Sequence, residues 1–348
     1  MRQSPYSSHK SEFPESPAAR QGAEPTREAP AHSGLAKARR FSWRNVENLG
    51  LYLVFVAIFV CLSIASPYFL TSTNLFDILR QSTFVLVVAL GSTLVIMTAG
   101  IDLSVGAVLG FSAGITSWLL LQGMPTALAV LGGLACGAAC GFLNGMIITQ
   151  LEVTDFVATL ATMSAFRGAL FLMTMGVPFA RFARPDFSFL GRGMLGPVPV
   201  PVIIVAILFL VLSYLLTQTR FGRHLLAVGS NRDAAYLSGV QVNLTKLLVY
   251  TIAGLCSGLA GILLASRLSS VPPDLGTGYE LQAIAAVVIG GTALSGGKGT
   301  LLGTAVGAIM IGMIANGLIL LNVNPFYQYI INGALIVIAV SLNRPRKN

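Results

Sequence analysis

Long apolar segments follow one another from residue 49 almost to the end of the chain, and they limit what the chain can fold into. A helix needs about 20 apolar residues to cross a hydrocarbon layer roughly 30 Å thick. Runs near that length lie at 49–66, 82–99, 103–121, 126–148, 156–175, 200–217, 245–265, 301–321 and 326–342. The sequence therefore predicts an all-α polytopic membrane protein.

A tenth apolar run, 281–294, is shorter than the others. As a helix it would reach only about 21 Å, at a rise of about 1.5 Å per residue. It either needs residues 276–280 to complete a span, or it is a broken helix that lines a cavity enclosed by protein. We therefore expect about ten transmembrane helices, one of them short or broken.

Charged residues are scarce, at 10% of the chain, whereas a soluble domain carries about 25%. Twelve basic residues fall on the predicted inner side of the spans and five on the outer side. An excess of Lys and Arg marks cytoplasmic loops, so both termini are expected in the cytoplasm. The high pI then reflects membrane topology, and we expect the partner to be a lipid bilayer and not nucleic acid.

The composition divides the chain into three parts. Residues 1–47 are rich in Pro, Ser, Ala and charge without hydrophobic periodicity, which predicts a disordered cytoplasmic tail. Residues 48–342 form the expected transmembrane domain, and residues 343–348 a short cytoplasmic tail.

A stripe of glycines in the fourth apolar run predicts close helix packing. Gly133, Gly137, Gly141 and Gly145 recur at every fourth residue, and small residues at this spacing let membrane helices approach closely. The stripe indicates a tight bundle and carries no information about a substrate.

The residue types that enzymes and metal sites need are sparse. The chain has three histidines, two of them in the predicted tail, and its four cysteines all lie in apolar runs. The segment 290–300 superficially resembles a phosphate loop, but position 292 is Thr and position 299 is Gly, so it fails the required spacing. We expect no catalytic residue, no bound metal and no cofactor, and any ATP must be hydrolysed by another chain.

A small set of polar residues in or beside the spans forms the candidate pathway or gate. Asp102 is either a helix cap or a gating residue, and Arg167 either lines a pathway or hydrogen-bonds to carbonyl groups inside the bundle. The full set comprises Gly100, Asp102, Ser104, Arg167, Tyr279, Glu280 and Asn316.

The longest inner loop, 217–243, has the features of a docking surface. Residues 231–237 are predicted to form a short helix that Ser230 or Asn231 starts and Gly239 stops. Such a helix suits docking into a groove of a partner, although a plain polar loop is the alternative. The candidate docking residues are Gly222, Arg223, Gly229, Ser230, Asn231, Ala234, Ala235, Ser238 and Gly239.

Several segments together resemble the ribose-type monosaccharide permeases, the membrane subunits of bacterial ABC importers. They are GIDLSVG at 100–106, the stretch 222–239, GYELQAIAAVVIGGTALSGGKG at 278–299, and Asn316-Gly317-Leu318. The resemblance covers about residues 45–342. It implies an inner-membrane protein that pairs with a second copy or a paralogue, with an ATPase on the cytoplasmic face and with a periplasmic sugar-binding protein.

The resemblance also implies roles for individual segments. Residues 222–239 would carry the coupling helix, and ATP and Mg²⁺ would be used by the partner ATPase. The outer arginines Arg181, Arg184 and Arg192 become candidates for docking acidic residues of the binding protein. The long N-terminal tail and the outer loop 176–199 depart from the family pattern, which leaves the identity of the sugar open.

Other functions remain alternatives at this point. A permease for branched-chain amino acids or for a sugar-like signal belongs to a related transport class. An ion-coupled secondary carrier and a membrane enzyme are the alternatives from other classes. None of these alternatives is excluded by the residues alone.

Overall fold

The computed structural model describes residues 43–180, 182, 184–324 and positions 326, 327, 330, 331, 333, 334 and 337. Most of the predicted N-terminal tail, much of the last apolar run, the predicted C-terminal tail and Arg181 lie outside the described residues.

The fold is built from helices and one short hairpin. In chain order they are α1 (Trp43–Ala65), α2 (Ser72–Met97), α3 (Val105–Leu121), α4 (Thr126–Gln150), α5 (Asp155–Thr174), α6 (Pro185–Arg192), β1 (Met194–Leu195), β2 (Val198–Pro199), α7 (Val200–Gln218), α8 (Arg220–Ser230), α9 (Arg232–Leu237), α10 (Val242–Leu268), α11 (Tyr279–Ile289) and α12 (Leu301–Leu320).

Six of these helices are long and apolar enough to cross a membrane, within the part of the chain that the structure describes: α2, α4, α5, α7, α10 and α12. The residues 50–65 of α1, together with α3 and α11, form shorter apolar helices. The all-α polytopic architecture is confirmed. The count of about ten spans and the cytoplasmic position of both termini stay predictions.

α2 and α10 lie at the centre of the bundle. Almost every side chain between Ser82 and Met97 of α2 is buried, and so are most of those between Tyr250 and Ser266 of α10. α4, α5 and α7 keep far more of their apolar side chains exposed. A membrane helix buried on all sides packs against protein, whereas the outer helices offer apolar surface to lipid or to a partner.

The glycine stripe of α4 packs directly on α10. The sequence predicts the close packing but not the partner helix. A side chain on Gly141 would overlap with the carbonyl oxygen of Tyr250, and one on Gly137 would overlap with the backbone of Gly254 and Gly258. The two helices therefore touch backbone to backbone, and at these positions there is no room for a side chain.

α2 begins ten residues before its predicted start at 82. Its first turns carry Asn74, Asp77 and Arg80, which the apolar pattern excludes. The hydroxyl of Thr71 accepts a hydrogen bond from the backbone N–H of Asn74, so a side-chain N-cap starts the helix within this polar stretch. The prediction of the start was wrong because it relied on hydropathy and overlooked the cap.

The short tenth run is a short helix, and its position shifts slightly from the prediction. α11 covers 279–289 instead of 281–294, and irregular backbone at 269–278 precedes it. Gly276 and Gly278 adopt φ values of +89° and +87°, a region that glycine enters without steric cost. Residues 276–278 therefore break the helix and do not extend it.

Candidate functional site

An ion pair joins Arg167 of α5 to Glu280 of α11. Nη2 of the guanidinium lies 3.5 Å from Oε1 of the carboxylate, which is longer than a normal hydrogen bond between charged groups. The two residues are 113 positions apart in the chain. The fold thus brings together two of the predicted pathway residues in a loose pair.

Glycines of α3 make room for this pair. A side chain on Gly106 would overlap with Oε2 of Glu280 and with the carbonyl oxygen of Gly276. Gly110 gives the same close approach to the carbonyl of Leu275. The irregular segment before α11 therefore lies directly on α3, and it positions Glu280 at the beginning of the short helix.

The second oxygen of Glu280 has no hydrogen-bond partner among the described residues. The residue is only 9% exposed, and among the described residues no group donates a hydrogen bond to its buried Oε2. A buried acceptor without a hydrogen-bond donor lowers the stability of a protein by about 1–3 kcal/mol. The site therefore holds an acceptor that a donor could satisfy.

The ion pair borders an open face of α5 and α11. The Arg167 side chain is 28% exposed, and Ser164, Gly168 and Leu281 on the same two helices are exposed as well. A side chain at Gly168 would meet no atom within 4 Å. Because an arginine facing hydrocarbon costs about 2.5–3.5 kcal/mol on insertion scales, this face needs water or another protein against it.

A buried hydrogen-bonded chain fixes the link between α2 and α3. Oδ1 of Asp102 accepts from the backbone N–H of Ser104 at 2.8 Å and from its hydroxyl at 2.7 Å. The amide of Asn144 in α4 donates to Oγ of Ser104 at 2.8 Å. Asp102 thus satisfies a backbone donor immediately before α3, as a capping residue would, and the same chain ties this turn to α4.

Burial raises the pKa of Asp102 from 3.8 to about 6, against the opposing effect of the hydrogen bonds from Ser104. The neighbouring charge of Asp155 raises the pKa further. Since the folded-state pKa exceeds the unfolded one, the neutral carboxyl favours folding. This stabilisation is complete below pH 3.8 and is lost as the pH rises through about 6.

Asp102→Asn should therefore remove a pH dependence of stability. The amide keeps an acceptor for Ser104 and does not ionise, so we expect the variant to be more stable than the parent at pH 7, by up to about 3 kcal/mol. Tm measured in detergent at pH 5 and pH 7 checks this, with the exposed Asp274→Asn as control. Parallel pH profiles for the parent and Asp102→Asn would contradict it.

A second polar cluster lies beside Gly100. Nζ of Lys246 donates to both oxygens of Asp155 at 3.0 and 2.9 Å, and the hydroxyl of Tyr250 donates to Oδ2 at 2.9 Å. A Cβ at Gly100 would lie 2.5 Å from that oxygen and 2.7 Å from the Tyr250 hydroxyl. Gly100 therefore leaves room for the hydrogen bonds that join α5 to α10.

The short helix predicted at residues 231–237 is present as α9. Oδ1 of Asn231 accepts from the backbone N–H of Ala234 at 2.9 Å and caps the helix. The helix ends at Leu237, and Gly239 follows with a φ of +81°. The prediction of a short helix started at Asn231 and stopped by Gly239 is confirmed, whereas α8, immediately before it, was not predicted.

The candidate docking residues separate into exposed and buried groups. Gly222, Gly229 and Ala235 are buried within the chain. The exposed ones are Arg223, Ser230, Asn231, Ala234, Ser238 and Gly239. The sequence-based candidates do not include Tyr236 and Leu237 of the same helix, which are 72% and 84% exposed. The signal in the sequence was the presence of two large apolar side chains in a short helix of a polar loop.

The loop that carries α8 and α9 is fastened to the end of α2. Gly229 packs against the carbonyl oxygen of Met97, and the backbone N–H of Gly297 donates to that same oxygen at 2.9 Å. Gly296 lies against the carbonyl of Gly229 and against Ala99. The segment that superficially resembles a phosphate loop therefore joins α8 to the turn that leads into α3.

Two of the outer arginines bond to the ends of helices. The guanidinium of Arg184 donates to the carbonyls of Met124 and Leu120 at 2.8 and 3.1 Å, beyond and within the last turn of α3. Nε of Arg192 donates to the carbonyl of Arg267 at 2.5 Å. Both arginines therefore have a structural role at the C-terminal ends of α3 and α10.

The other candidates lie inside the bundle. The amide of Asn316 donates to Oδ1 of Asn74 at 2.8 Å and joins α12 to α2, while Tyr279 is half-buried against the core. Within the described ranges, no three His, Cys, Asp or Glu residues form a group that could hold a metal ion.

Comparison with known proteins identifies the family. Residues 74–340 match the family described as branched-chain amino acid transport system / permease component. The chain belongs to this family. It is 43% identical to the ribose import permease protein RbsC of Bacillus subtilis over 302 residues, which cover 86% of this chain and 94% of that protein.

More distant relatives extend the match within this permease family. The L-arabinose ABC transporter permease protein AraH of Azospirillum brasilense is 34% identical over 331 residues, 94% of this chain and 97% of that protein. The D-allose transport system permease protein AlsC of Escherichia coli is 38% identical over 303 residues, 87% and 92% of the two chains. The predicted resemblance to ABC permeases is confirmed.

Membership of the permease family settles the general role. The chain is a transport subunit of a multi-pass inner-membrane system and not an enzyme. No solved structure matches the chain at a significant level.

Proposed function

We propose that the chain is the membrane subunit of an ABC importer that moves a monosaccharide, ribose or a similar sugar, into the cytoplasm. One observation carries this proposal. The chain is 43% identical to a protein named for ribose import, and the match covers 94% of that protein. The family description mentions branched-chain amino acids, but the relatives reported above are named for ribose, arabinose and allose.

ATP is hydrolysed by a separate subunit that uses Mg²⁺, and the permease binds no cofactor. Its one glycine-rich segment with a lysine, 290–300, lacks the spacing of a phosphate loop. Its backbone instead contacts Met97 and Gly229, so this segment serves the internal packing of the permease.

The ATPase docks on α8 and α9. These two helices face the cytoplasm in the predicted topology of ten spans with both termini in the cytoplasm. From there a chain of contacts leads inward, through Gly229 and Met97 to the turn 98–104 and then to Gly106 beside Glu280. A movement of the docking loop would shift the start of α3 and with it the surroundings of the ion pair.

A second copy of the chain, or a paralogue, covers the open face of α5 and α11, and the sugar passes between the two subunits. The partly exposed Arg167 supports this arrangement because a charge on that face is costly against lipid. On the outer side, Arg184 and Arg192 contribute positive charge where a periplasmic binding protein with acidic residues would dock, and Arg181 belongs to the same proposal.

Dependence on the ATPase separates the importer from an ion-coupled carrier. In cells that express the chain with its binding protein, deletion of the ATPase gene should abolish uptake of labelled ribose. Collapse of the proton and sodium gradients, with cellular ATP maintained, should leave uptake unchanged over the first minute. Uptake that survives the deletion and disappears with the gradients would support the ion-coupled carrier instead.

A further inference from the structure

We propose that Arg167 and Glu280 form a transient binding site for the hydroxyl groups of the sugar, at the point where it passes α5 and α11. The inference rests on the proposed function and adds to it the residues that recognise the substrate during passage. It assigns the ion pair a role in transport in place of a purely structural one.

The loose geometry of the pair is the first argument. One contact of 3.5 Å joins the two groups, and among the described residues it is the only hydrogen bond of the Arg167 guanidinium, which has five N–H donors in total. A structural Arg–carboxylate pair is usually shorter and bidentate. The long single contact leaves donors free for another molecule.

The unsatisfied oxygen of Glu280 is the second argument. Oε2 is buried and lacks a donor from the described residues, while Arg167 is open to the face of α5 and α11. The free donors of Arg167 therefore lie at the open face, and the free acceptor of Glu280 lies beneath them against Gly106. A hydroxyl is both donor and acceptor, so two adjacent hydroxyls of a sugar could bond to the guanidinium and, once the Glu280 side chain turns away from Gly106, to the carboxylate.

The third argument concerns what this pair excludes. Arg and Glu balance one another in charge, so the site has no net attraction for an anion or a cation. An apolar amino-acid side chain would cover the charged groups without forming hydrogen bonds to them, which costs about 1–3 kcal/mol for each unpaired group. The chemistry of the site therefore disfavours a lone ion or a purely apolar group, and transport assays with labelled ribose and labelled leucine separate a polyol from a zwitterionic amino acid.

Double substitutions separate a binding role from a structural one. Arg167→Met with Glu280→Leu replaces the pair by apolar side chains of similar size, a change that buried ion pairs often tolerate. Arg167→Gln with Glu280→Gln removes both charges but keeps donors and acceptors. Each is reconstituted in proteoliposomes with the ATPase and the binding protein, and ribose imported per ATP hydrolysed is measured.

We expect the apolar double variant to import at least tenfold less ribose per ATP, with ATP hydrolysis still stimulated by the loaded binding protein. The glutamine double variant should retain more import than the apolar one. An apolar double variant that imports ribose as the parent does would overturn the proposal. A parent complex that imports no ribose would instead overturn the proposed function.

A conservative variant covers the case in which the apolar pair fails to fold. Arg167→Lys keeps the ion pair but replaces the fork of five donors by a single ammonium group. We expect normal yield and normal stimulated ATP hydrolysis, with several-fold less ribose imported per ATP. Arg167→Lys with the ribose-to-ATP ratio of the parent would refute hydroxyl binding by the guanidinium.

Discussion

Replacement of Gly141 by leucine should abolish recovery of folded protein from the membrane. A Cβ at this position already overlaps with the carbonyl oxygen of Tyr250 and lies 3.0 Å from Cα of Gly254, and both are backbone atoms of the central helix α10. The remaining carbons of leucine have no space between the two helices. The cost should exceed the roughly 1–3 kcal/mol of ordinary overpacking, in which side chains can shift.

Gly50→Leu is the matched control because Gly50 is an exposed helical glycine with nothing within 4 Å of the position that its Cβ would take. Yield after detergent extraction and the elution profile in size-exclusion chromatography measure the effect. The control should behave as the parent does. A monodisperse Gly141→Leu protein at parental yield would mean that α4 and α10 do not pack in this way.

Replacement of Tyr236 by aspartate should separate the permease from its ATPase without unfolding it. Tyr236 is 72% exposed on α9, so the substitution removes no internal packing. In a docking helix, a large apolar side chain is a candidate for a residue worth at least about 2 kcal/mol of binding. We therefore expect at least about 30-fold weaker association, measured by co-purification and by titration of the ATPase onto immobilised permease.

Tyr68→Asp controls for the cost of placing a carboxylate on an exposed tyrosine position. Tyr68 lies in the turn between α1 and α2 and is 68% exposed, on the side of the bundle opposite to α9 in the predicted topology. This variant should bind the ATPase as the parent does. Equal affinity for both variants would show that α9 is not the docking element.

Hydropathy predicted the apolar helices because lipid allows only segments that satisfy their own backbone. It missed the first turns of α2, where the cap at Thr71 starts a helix among Asn74, Asp77 and Arg80. It also misplaced the short helix by a few residues, since the positive φ values at Gly276 and Gly278 depend on their contact with α3.

The sequence predicted which residue types belong to the candidate site, but it did not predict which of these residues contact one another. Arg167 and Glu280 stand out in the sequence as charges in apolar surroundings, but their pairing follows from the packing of α5, α3 and α11, which no local pattern encodes. Gly229 was grouped with the docking residues, yet it lies against Met97 within the permease. Local composition shows that a loop is special and does not show which of its residues face outward.

The outer arginines show the same limit. The family resemblance makes them candidates for docking a binding protein, but the carbonyls that bind Arg184 and Arg192 come from the end of α3, the residues just after it and α10, distant in sequence. Their contribution to docking is a proposal that must be separated from their contribution to the helix ends.

The most direct test of the account is uptake by the purified complex. Proteoliposomes that contain the permease and the ATPase, with ATP in the lumen beside the ATPase, receive the binding protein outside together with labelled ribose or labelled leucine. We predict that ribose accumulates only when ATP and the binding protein are both present, and that leucine does not. Accumulation of leucine, or entry of ribose without ATP, would contradict the assignment of the chain as a sugar importer.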